Sequence, residues 1–331
     1  MRPFELTAPA TVEAALAEPG TFLAGGTTLV DLMKLNVLTP QRVLDINQLP
    51  LRGIDTSDGL RIGALERMSD IAGHPGVYPM VTRALLQSAS QQLRNMASIG
   101  GNLLQRTRCS YFRDVTMPCN KREPGSGCPA VDGANRMHAV LGTSDSCVAT
   151  HASDVAVALV ALDTEIRLTG GGPDRTVELA EFYRPPGDTP QVENDLRPGE
   201  LITEVVIPRL DWAQHSTYVK VRDRQSYEFA LCSVAVALDV QDSRIVDARL
   251  AAGGVATVPW RLTAVEAALR GAPATLQTFE AAASVAAEGA RPLSGNSYKA
   301  SLLKRTVVRA LLELTESVDA AELPELNGGS R

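Results

Sequence analysis

The chain has 331 residues and a formal net charge of −6 at pH 7, with 44% hydrophobic and 21% charged residues. This is the composition of a globular protein with room for two domains of about 100–200 residues each. The acidic balance argues against a nucleic-acid-binding protein, and no apolar run approaches the roughly 18 residues that cross a bilayer. The N-terminus lacks the basic and apolar regions of a signal peptide, so the sequence predicts no signal of its own.

Short strands and helices alternate in the first half of the chain. Residues 11–16 are predicted to form a helix capped by Thr11, and residues 21–24 form an apolar strand that runs into a glycine turn. The next predicted elements are a helix over 29–35, strands over 42–46 and 60–65, and one continuous helix over 78–96.

The segment from 105 to 147 shows no helical or strand periodicity. A run of about 40 residues without regular structure inside a compact domain needs an internal organiser. Four of the five cysteines lie there: Cys109, Cys119, Cys128 and Cys147. Cations concentrate in the same region: Arg106, Arg108, Arg113, Lys121, Arg122 and Arg136. Such cations suit either the negative charge of a thiolate-ligated cluster or a docking face for an acidic partner.

The cysteine spacing favours a metal centre over a disulfide framework. Without an export signal the default environment is reducing, where disulfides are rare. Structural zinc sites favour close Cys-x-x-Cys pairs, which the chain lacks, whereas four thiolates on a long loop can hold a [4Fe–4S] cluster. Four unrelated buried thiols are the alternative interpretation, and His138 is a further candidate ligand. Cys232, in an apolar alternating stretch, is predicted to lie in a core.

The second half of the chain begins as the first does and then changes its pattern. Ser153 is predicted to cap a helix over 154–162, followed by strands over 165–168 and 201–208. After about Trp212 the predicted strands 217–222, 229–240 and 244–251 precede the predicted helices 261–270, 275–288 and 296–315. Strands first and helices afterwards are typical of an α+β domain.

Two glycine turns are the clearest candidates for binding a phosphate. Residues 22–29 and 98–102 each place a glycine pair at the end of an apolar element, where backbone amides can approach a pyrophosphate. Neither turn is a Walker loop or a Gly-x-Gly-x-x-Gly fingerprint, and each alone is compatible with a plain turn or a helix cap. Hydrolytic chemistry is not predicted, because His74, His138, His151 and His215 are scattered and no Ser/His/Asp constellation is visible.

Four motifs in order carry a family resemblance: Phe22–Lys34, Ala97–Leu103, Pro198–Pro208 and Tyr218–Arg224. Over about residues 3–315 the chain resembles the FAD-binding medium subunit of the xanthine dehydrogenase/aldehyde oxidoreductase (molybdenum hydroxylase) family. Within the insertion, Asn102–Asp114 and Pro118–Cys128 resemble the flavin subunit of the three-subunit periplasmic aldehyde oxidoreductases. In that subgroup the inserted loop carries a [4Fe–4S] cluster.

The resemblance implies an α+β fold with a two-lobed FAD-binding domain of the p-cresol methylhydroxylase/vanillyl-alcohol oxidase type. That domain would span residues 1–212, with lobes of about 1–57 and 58–212 and a cysteine-rich insert at 105–147. A smaller C-terminal domain, of the CO-dehydrogenase-flavoprotein type, would follow at 213–318, and residues 319–331 would form a tail.

The resemblance also implies site residues. The first glycine turn would hold the FAD pyrophosphate through Phe22, Leu23, Ala24, Gly25, Gly26, Thr27, Thr28 and Leu29. The second would close on the flavin through Ser98, Gly100, Gly101 and Asn102. Asp154 would contact the ribityl or adenosine portion, Ile202 and Lys220 would flank the ring system, and Thr107 is a further candidate. Cys109, Cys119, Cys128 and Cys147 would ligate the cluster, and the absence of histidine from both turns implies dissociable FAD.

By this resemblance the chain is an electron relay without catalytic residues of its own. Its partners would be a large subunit with a molybdopterin-type molybdenum cofactor, a small [2Fe–2S] subunit and an external electron acceptor. A stand-alone FAD-dependent oxidase and a zinc-stabilised assembly subunit are the alternatives. The compartment would be the cytoplasm, or the periplasm by co-export with a signal-bearing partner.

Overall fold

The structure, a computed structural model, describes residues 1–322, with side chains described as far as residue 315. The strands are β1 (Glu5–Thr7), β2 (Thr21–Leu23), β3 (Arg42–Asp45), β4 (Ile54–Asp55), β5 (Leu60–Gly63), β6 (Glu165–Thr169), β7 (Arg175–Glu178), β8 (Leu201–Ile207), β9 (Ser216–Val221), β10 (Cys232–Gln241), β11 (Arg244–Gly253) and β12 (Trp260–Arg261). The helices are α1 (Val12–Ala17), α2 (Leu29–Lys34), α3 (Met68–Gly73), α4 (Pro79–Gln87), α5 (Gln91–Met96), α6 (Ile99–Leu103), α7 (Ser110–Arg113), α8 (Asp154–Ala161), α9 (Leu179–Phe182), α10 (Thr263–Leu269), α11 (Leu276–Ala283) and α12 (Tyr298–Glu322). A single 3₁₀ turn, Asp211–Gln214, precedes β9 among these elements.

A small parallel sheet near the N-terminus has the strand order β1-β3-β2. Parallel neighbours need crossover connections, and α1 and α2 supply them. Phe22 of β2 lies opposite Leu44 of β3, which sets the register. Ile46 of this lobe packs in one apolar cluster with Leu65 and Leu201 of the following lobe. The first glycine turn therefore leaves the sheet beside the seam between the two lobes.

The second sheet is antiparallel, with the order β4-β5-β8-β6-β7. Val205 in the central strand β8 lies opposite Ile62 on one side and Ile166 on the other. Helix α8 is buried around its whole circumference because the residues that follow Asp154 in it are all apolar. Helix α6, which contains the second glycine pair, packs on β5 and β8. The sheet thus fixes the position of the second glycine turn.

The third sheet, with the order β12-β11-β10-β9, is covered by the C-terminal helices. Its core brings Val236, opposite Leu250 in the ladder, against Phe279, Leu303 and Val307 of α11 and α12. The edge strand β9 lies against α4 of the preceding lobe. The α+β architecture is therefore confirmed, while the division into domains at residues 57 and 212 stays a prediction.

The predicted continuous helix over 78–96 was wrong, because the chain breaks it into α4 and α5. Ala89 adopts φ of +48°, and the Ser88 hydroxyl donates to the Ala84 carbonyl at 2.8 Å and to Asp154 Oδ2 at 3.0 Å. The predicted strand over 229–240 begins later, at Cys232, because residues 222–231 form a loop in which Tyr227 has φ of +54°.

Two further predictions concern the C-terminal tail and membrane-spanning segments. Helix α12 continues to Glu322, past the predicted start of a tail at 319, and the rest of that predicted tail lies outside the described residues. Within 1–322, no helix is long and apolar enough to cross a membrane.

Candidate cofactor sites

The two glycine turns lie directly against each other. A Cβ built on Gly25 would lie 1.8 Å from the carbonyl oxygen of Met96, so any side chain at Gly25 would push the turns apart. Gly26 has φ of +72°, a left-handed conformation that residues with a Cβ rarely adopt. Ser98 caps α6 by accepting a hydrogen bond from the Gly101 amide at 3.2 Å. The absence of a side chain at Gly25 thus allows the backbone of the first turn to lie against the backbone at Met96.

A polar bridge between the turns was not predicted from the sequence. Asn47 Nδ2 donates to the Ala24 carbonyl at 2.9 Å, and Arg67 Nη2 donates to Asn47 Oδ1 at 2.8 Å. The same guanidinium donates to the Met96 carbonyl, so one arginine holds both turns. The available signal was Asn47 itself, whose amide bonds to Asp45 Oδ1 in a turn after β3. Arg67 is not part of any sequence motif, so nothing in the sequence predicted its role.

A first cavity of about 700 Å³ lies between the two turns and the strand β8. It is lined by many of the predicted FAD residues: Phe22, Ala24, Gly25, Gly26, Thr27, Thr28, Leu29, Ser98, Gly100, Gly101 and Ile202. Thr28, at the start of α2, makes no side-chain capping hydrogen bond, so its hydroxyl is available to a ligand. The two turns therefore form one concave, ligand-sized site from elements far apart in sequence.

Five other predicted FAD residues are not part of the first cavity's lining. Leu23 lies in β2 opposite Asp45, and Asn102 Oδ1 accepts from the Ser153 hydroxyl at 2.5 Å. Thr107 donates to the Thr150 carbonyl at 3.0 Å. The remaining two are Asp154 and Lys220. Ile202 and Lys220, predicted to flank one ring system, thus have different surroundings.

Asp154, at the first position of α8, is a hub of buried hydrogen bonds. Lys220 Nζ donates to it at 2.8 Å, the Tyr218 hydroxyl at 2.7 Å and the Ser88 hydroxyl at 3.0 Å. A carboxylate is also favourable beside the positive end of a helix. Burial and the neighbouring carboxylate raise the pKa of Tyr218 far above its usual range, so its hydroxyl stays protonated and donates. Ser88 and Tyr218 were missed by the sequence reasoning.

The four clustered cysteines line one small cavity, referred to below as the cysteine cavity. Its walls include Cys109, Cys119, Cys128 and Cys147, together with Phe112, Lys121 and His138. Cys119 and Cys147 are buried, and Cys109 and Cys128 are half-buried. Cys232, fully buried in β10, packs in the third sheet's core, as predicted.

The cysteine cavity disfavours thiolates unless a metal or cation compensates. Burial raises the pKa of Cys109 to about 11, and it also raises the pKa values of Cys128 and Cys147. Within the described residues, no three side chains of His, Cys, Asp or Glu converge closely enough to hold a single metal ion. The four cysteines therefore line one cavity without forming a compact site for a single ion among the described residues.

His138 stands beside the cysteine cavity. Its Nε2 lies 3.2 Å from Cys109 Sγ, and burial lowers its pKa to about 4, so the ring is neutral at pH 7. Its backbone is held by the turn that precedes α12, since Asn296 Nδ2 donates to the His138 carbonyl at 3.2 Å. His138 is thus positioned to make a hydrogen bond to a cysteine sulfur.

The insertion's cations are engaged within the chain. Lys121 and Arg106 both bind Glu193, at 2.9 and 2.8 Å, and although burial opposes its ionisation they hold the pKa of Glu193 below its usual range. Arg108 and Arg113 pair with Asp31 of α2. Arg122 donates to backbone carbonyls, and Arg136 pairs with Asp223. Each of these six cations therefore has a partner within the described chain, and together the contacts fasten the insertion to α2, to Glu193 and to the loop after β9.

The fold and sites together define a two-lobed cofactor-binding protein with a C-terminal α+β unit and a cysteine-rich insertion. The family model described as "FAD binding domain in molybdopterin dehydrogenase" matches residues 2–210, and "CO dehydrogenase flavoprotein C-terminal domain" matches residues 217–314. The chain belongs to the FAD-binding medium subunits of the molybdenum hydroxylase family.

Individual relatives agree with this placement. The chain is 49% identical over 312 residues to the aldehyde oxidoreductase FAD-binding subunit PaoB of Escherichia coli strain K12, covering 91% of this chain and 94% of that protein. It is 32% identical over 249 residues to the glyceraldehyde dehydrogenase medium chain of Sulfolobus acidocaldarius, covering 74% and 71% of the two chains. The solved carbon monoxide dehydrogenase of Hydrogenophaga pseudoflava has a TM-score of 0.73 at 24% identity, covering 95% of this chain and 98% of that chain. At that identity the likeness shows the fold.

Proposed function

We propose that this chain is the FAD- and [4Fe–4S]-containing electron-transfer subunit of a molybdenum-dependent aldehyde oxidoreductase. Electrons would arrive from [2Fe–2S] clusters of a small partner subunit, reach FAD and leave to an external acceptor. The aldehyde would be oxidised at a molybdopterin-type cofactor on a large partner subunit. Co-export with such a partner would place the complex in the periplasm, and otherwise it is cytoplasmic.

The observation that carries the proposal is that four cysteines from a long insertion line one cavity. A [4Fe–4S] cluster takes one thiolate at each of its four irons, so its ligand sulfurs are spread around a cube. Cys109, Cys119, Cys128 and Cys147 all line one cavity, and the described residues form no compact site for a single ion, which favours a cluster over one zinc ion. Metal binding would also offset the raised pKa of the buried thiols, since ligation favours the thiolate.

For FAD, the proposal assigns the pyrophosphate to the first cavity. Gly25, Gly26, Gly100 and Gly101 line it, and the hydroxyl of Thr28 is free of a capping hydrogen bond. The cofactor would extend past Gly101 towards Asn102, Asp154 and Lys220, which the first cavity's lining does not include, and would be bound non-covalently. FAD supplies a ring that exchanges two electrons, and the protein supplies binding and electrostatic tuning.

The purified chain itself tests this function. FAD, iron and acid-labile sulfide are measured per chain, together with the visible spectrum. About four irons and four sulfides with one FAD would support the proposal. FAD without iron would favour a stand-alone flavin oxidase, and one zinc without sulfide or flavin would favour an assembly subunit. Copurification with a molybdopterin-binding large subunit tests the partners separately.

A further inference from the structure

Three charged side chains link the first cavity to the cysteine cavity. Arg106 lines the first cavity, Lys121 lines the cysteine cavity, and Glu193 pairs with both cations. Arg106 Nε donates to Glu193 Oε2 at 2.8 Å, and Lys121 Nζ lies 2.9 Å from Glu193 Oε1. One carboxylate therefore joins two cations that belong to two different cofactor sites, and the three side chains together are called the charge bridge below.

The loop between α9 and β8 fixes the carboxylate of the charge bridge in place. The Glu193 carbonyl accepts a hydrogen bond from the Arg184 amide at 3.0 Å, within that loop. Lys121 Nζ also donates to the Pro190 carbonyl of the same loop at 2.8 Å. Because the two cations come from the insertion and its start while Glu193 comes from a loop about 70 residues later, the charge bridge is made only by the fold.

The side chain of Arg106 reaches the walls of both cavities. Its guanidinium carbon lies 4.6 Å from the ring centroid of Phe112, which is fully buried and lines the cysteine cavity. Among the described residues, the bond to Glu193 is the only hydrogen bond that this guanidinium donates. Its other N–H groups are therefore available to an anion in the first cavity, and a guanidinium suits a phosphate.

Two cations and one carboxylate leave the charge bridge with one net positive charge. Its side chains are largely withdrawn from water, with 22%, 23% and 11% exposed for Arg106, Glu193 and Lys121, so their charges act more strongly than they would on the surface. A thiolate-ligated cluster and the pyrophosphate of FAD are both anionic, and each electron that arrives adds negative charge. The net positive charge of the bridge should therefore favour the reduced form of both cofactors.

We propose that Glu193 is a positioning residue that sets the reduction potentials of both cofactors, by directing Arg106 towards FAD and Lys121 towards the cluster. The inference rests on the proposed function, because it requires FAD in the first cavity and the cluster in the cysteine cavity. Glu193 itself transfers neither protons nor electrons, and its fixed charge offsets the two cations. Removing that charge should raise both potentials, whereas removing either cation should lower the potential of the cofactor beside it.

The test is an anaerobic redox titration of the full-length chain loaded with FAD and iron, at pH 8. EPR follows the cluster and visible absorbance follows the flavin. The variants are Glu193→Gln, Lys121→Met and Arg106→Met. Glu204→Gln is the matched control, because Glu204 also pairs with two arginines, each at 3.0 Å, and is 21% exposed, yet it lines neither the first cavity nor the cysteine cavity.

Glu193→Gln should shift the equilibrium of each cofactor about fivefold towards the reduced form, which is roughly 40 mV for the one-electron cluster and roughly 20 mV for the two-electron flavin. Lys121→Met should shift the cluster in the opposite direction, and Arg106→Met should do the same for the flavin. Glu204→Gln should change neither potential. Opposite signs for an anion and its partner cation are expected of a charge effect and not of a general loss of packing.

The proposal is overturned if Glu193→Gln and Lys121→Met shift the cluster in the same direction, if Glu193→Gln shifts only one cofactor, or if Glu204→Gln gives equal shifts. Should Glu193→Gln lose a cofactor, the two cation variants decide, since each keeps the carboxylate, and unchanged potentials in both overturn the proposal. FAD and iron contents are measured before each titration. A wild type without FAD or iron refutes the proposed function, whereas loaded proteins with the wrong shifts refute only this inference.

Discussion

Lys220 Nζ lies 2.8 Å from Asp154 Oδ2, with the two side chains only 1% and 8% exposed. The pair joins β9 in the third sheet to the first residue of α8 in the second lobe. The Lys220 ammonium also donates to the Gln87 carbonyl of α4 at 3.0 Å, so one side chain of β9 contacts both α8 and α4. A buried pair of this kind specifies how the two parts of the chain meet, since neither charge is tolerated alone.

Lys220→Met should therefore destabilise the protein by about 3–5 kcal/mol, because it leaves the Asp154 carboxylate buried without its cation. Adding Asp154→Asn should recover part of that loss. Denaturant unfolding of the wild type, Lys220→Met and the double variant measures these changes in the free energy of unfolding. The control is Arg209→Met, which breaks an exposed ion pair with Asp211 and should change stability by less than about 1 kcal/mol. An unchanged midpoint for Lys220→Met would show that the pair does not hold this junction.

Gly25→Ala should release FAD, because its Cβ would collide with the Met96 carbonyl and separate the two turns. Overpacking of this kind costs about 1–3 kcal/mol. Gly73→Ala is the matched control, since no atom lies within 4 Å of its Cβ and its φ is not left-handed. The FAD-to-protein ratio after gel filtration is the measurement. Full flavin in Gly25→Ala would contradict the assignment of FAD to the first cavity.

Serine substitutions at the four clustered cysteines should remove the cluster, lowering iron from about four per chain to near zero. They should also loosen the insertion, exposing the chain to trypsin after Lys121 and Arg122, which the intact protein holds by hydrogen bonds to backbone carbonyls. Cys232→Ser should keep its iron, because that thiol lies in another core. Iron retained in all four single variants would refute the ligand set.

His138→Leu should lower the reduction potential of the cluster, because a hydrogen bond to a ligand sulfur stabilises the more negative, reduced form. A bond of about 1 kcal/mol corresponds to roughly 40 mV for one electron. His138→Gln, which can still donate to Cys109 Sγ, should restore most of the shift. An EPR-monitored redox titration decides between this role and simple packing, for which both variants would behave alike.

Lys299 should make stability depend on pH. It is fully buried, donates to the carbonyls of Met137 and Gly254 at 3.0 and 2.6 Å, and has a pKa lowered by burial to about 8. Cys232 opposes this lowering and Arg136 adds to it. Between pH 8 and the ordinary lysine pKa of 10.5, the unfolded chain binds more protons than the folded chain. The free energy of unfolding therefore rises with pH across that window.

The Lys299→Met variant should lack this rise. Between pH 8 and 10.5, the free energy of unfolding of the wild type should therefore increase relative to that of the variant by on the order of 3 kcal/mol. Denaturant unfolding at pH values on either side of it measures the shift. Parallel pH profiles for the two proteins would contradict the assignment.

Local patterns were sufficient wherever a structure depends on neighbours in sequence. The pattern in residues 229–240 predicted a strand with Cys232 in a core, although the strand begins only at Cys232. The α+β order after residue 212 follows from strands preceding helices. The break in the predicted helix over 78–96 had one local signal that was missed, Ser90, which caps α5 by accepting a hydrogen bond from the Leu93 amide at 3.3 Å. The second contact at the break, from the Ser88 hydroxyl to Asp154, spans 66 residues and could not be predicted.

The sequence by itself determined the glycine turns, the cysteine-rich insertion and the family, since these depend on residue type and spacing. Only the tertiary structure decided that Gly25 lies against Met96 and that four cysteines line one cavity. The reason is physical: periodicity reports the local backbone and its burial. Which surfaces meet depends instead on how three sheets pack. Asp154 and Lys220, for example, form an ion pair although 66 residues separate them in sequence.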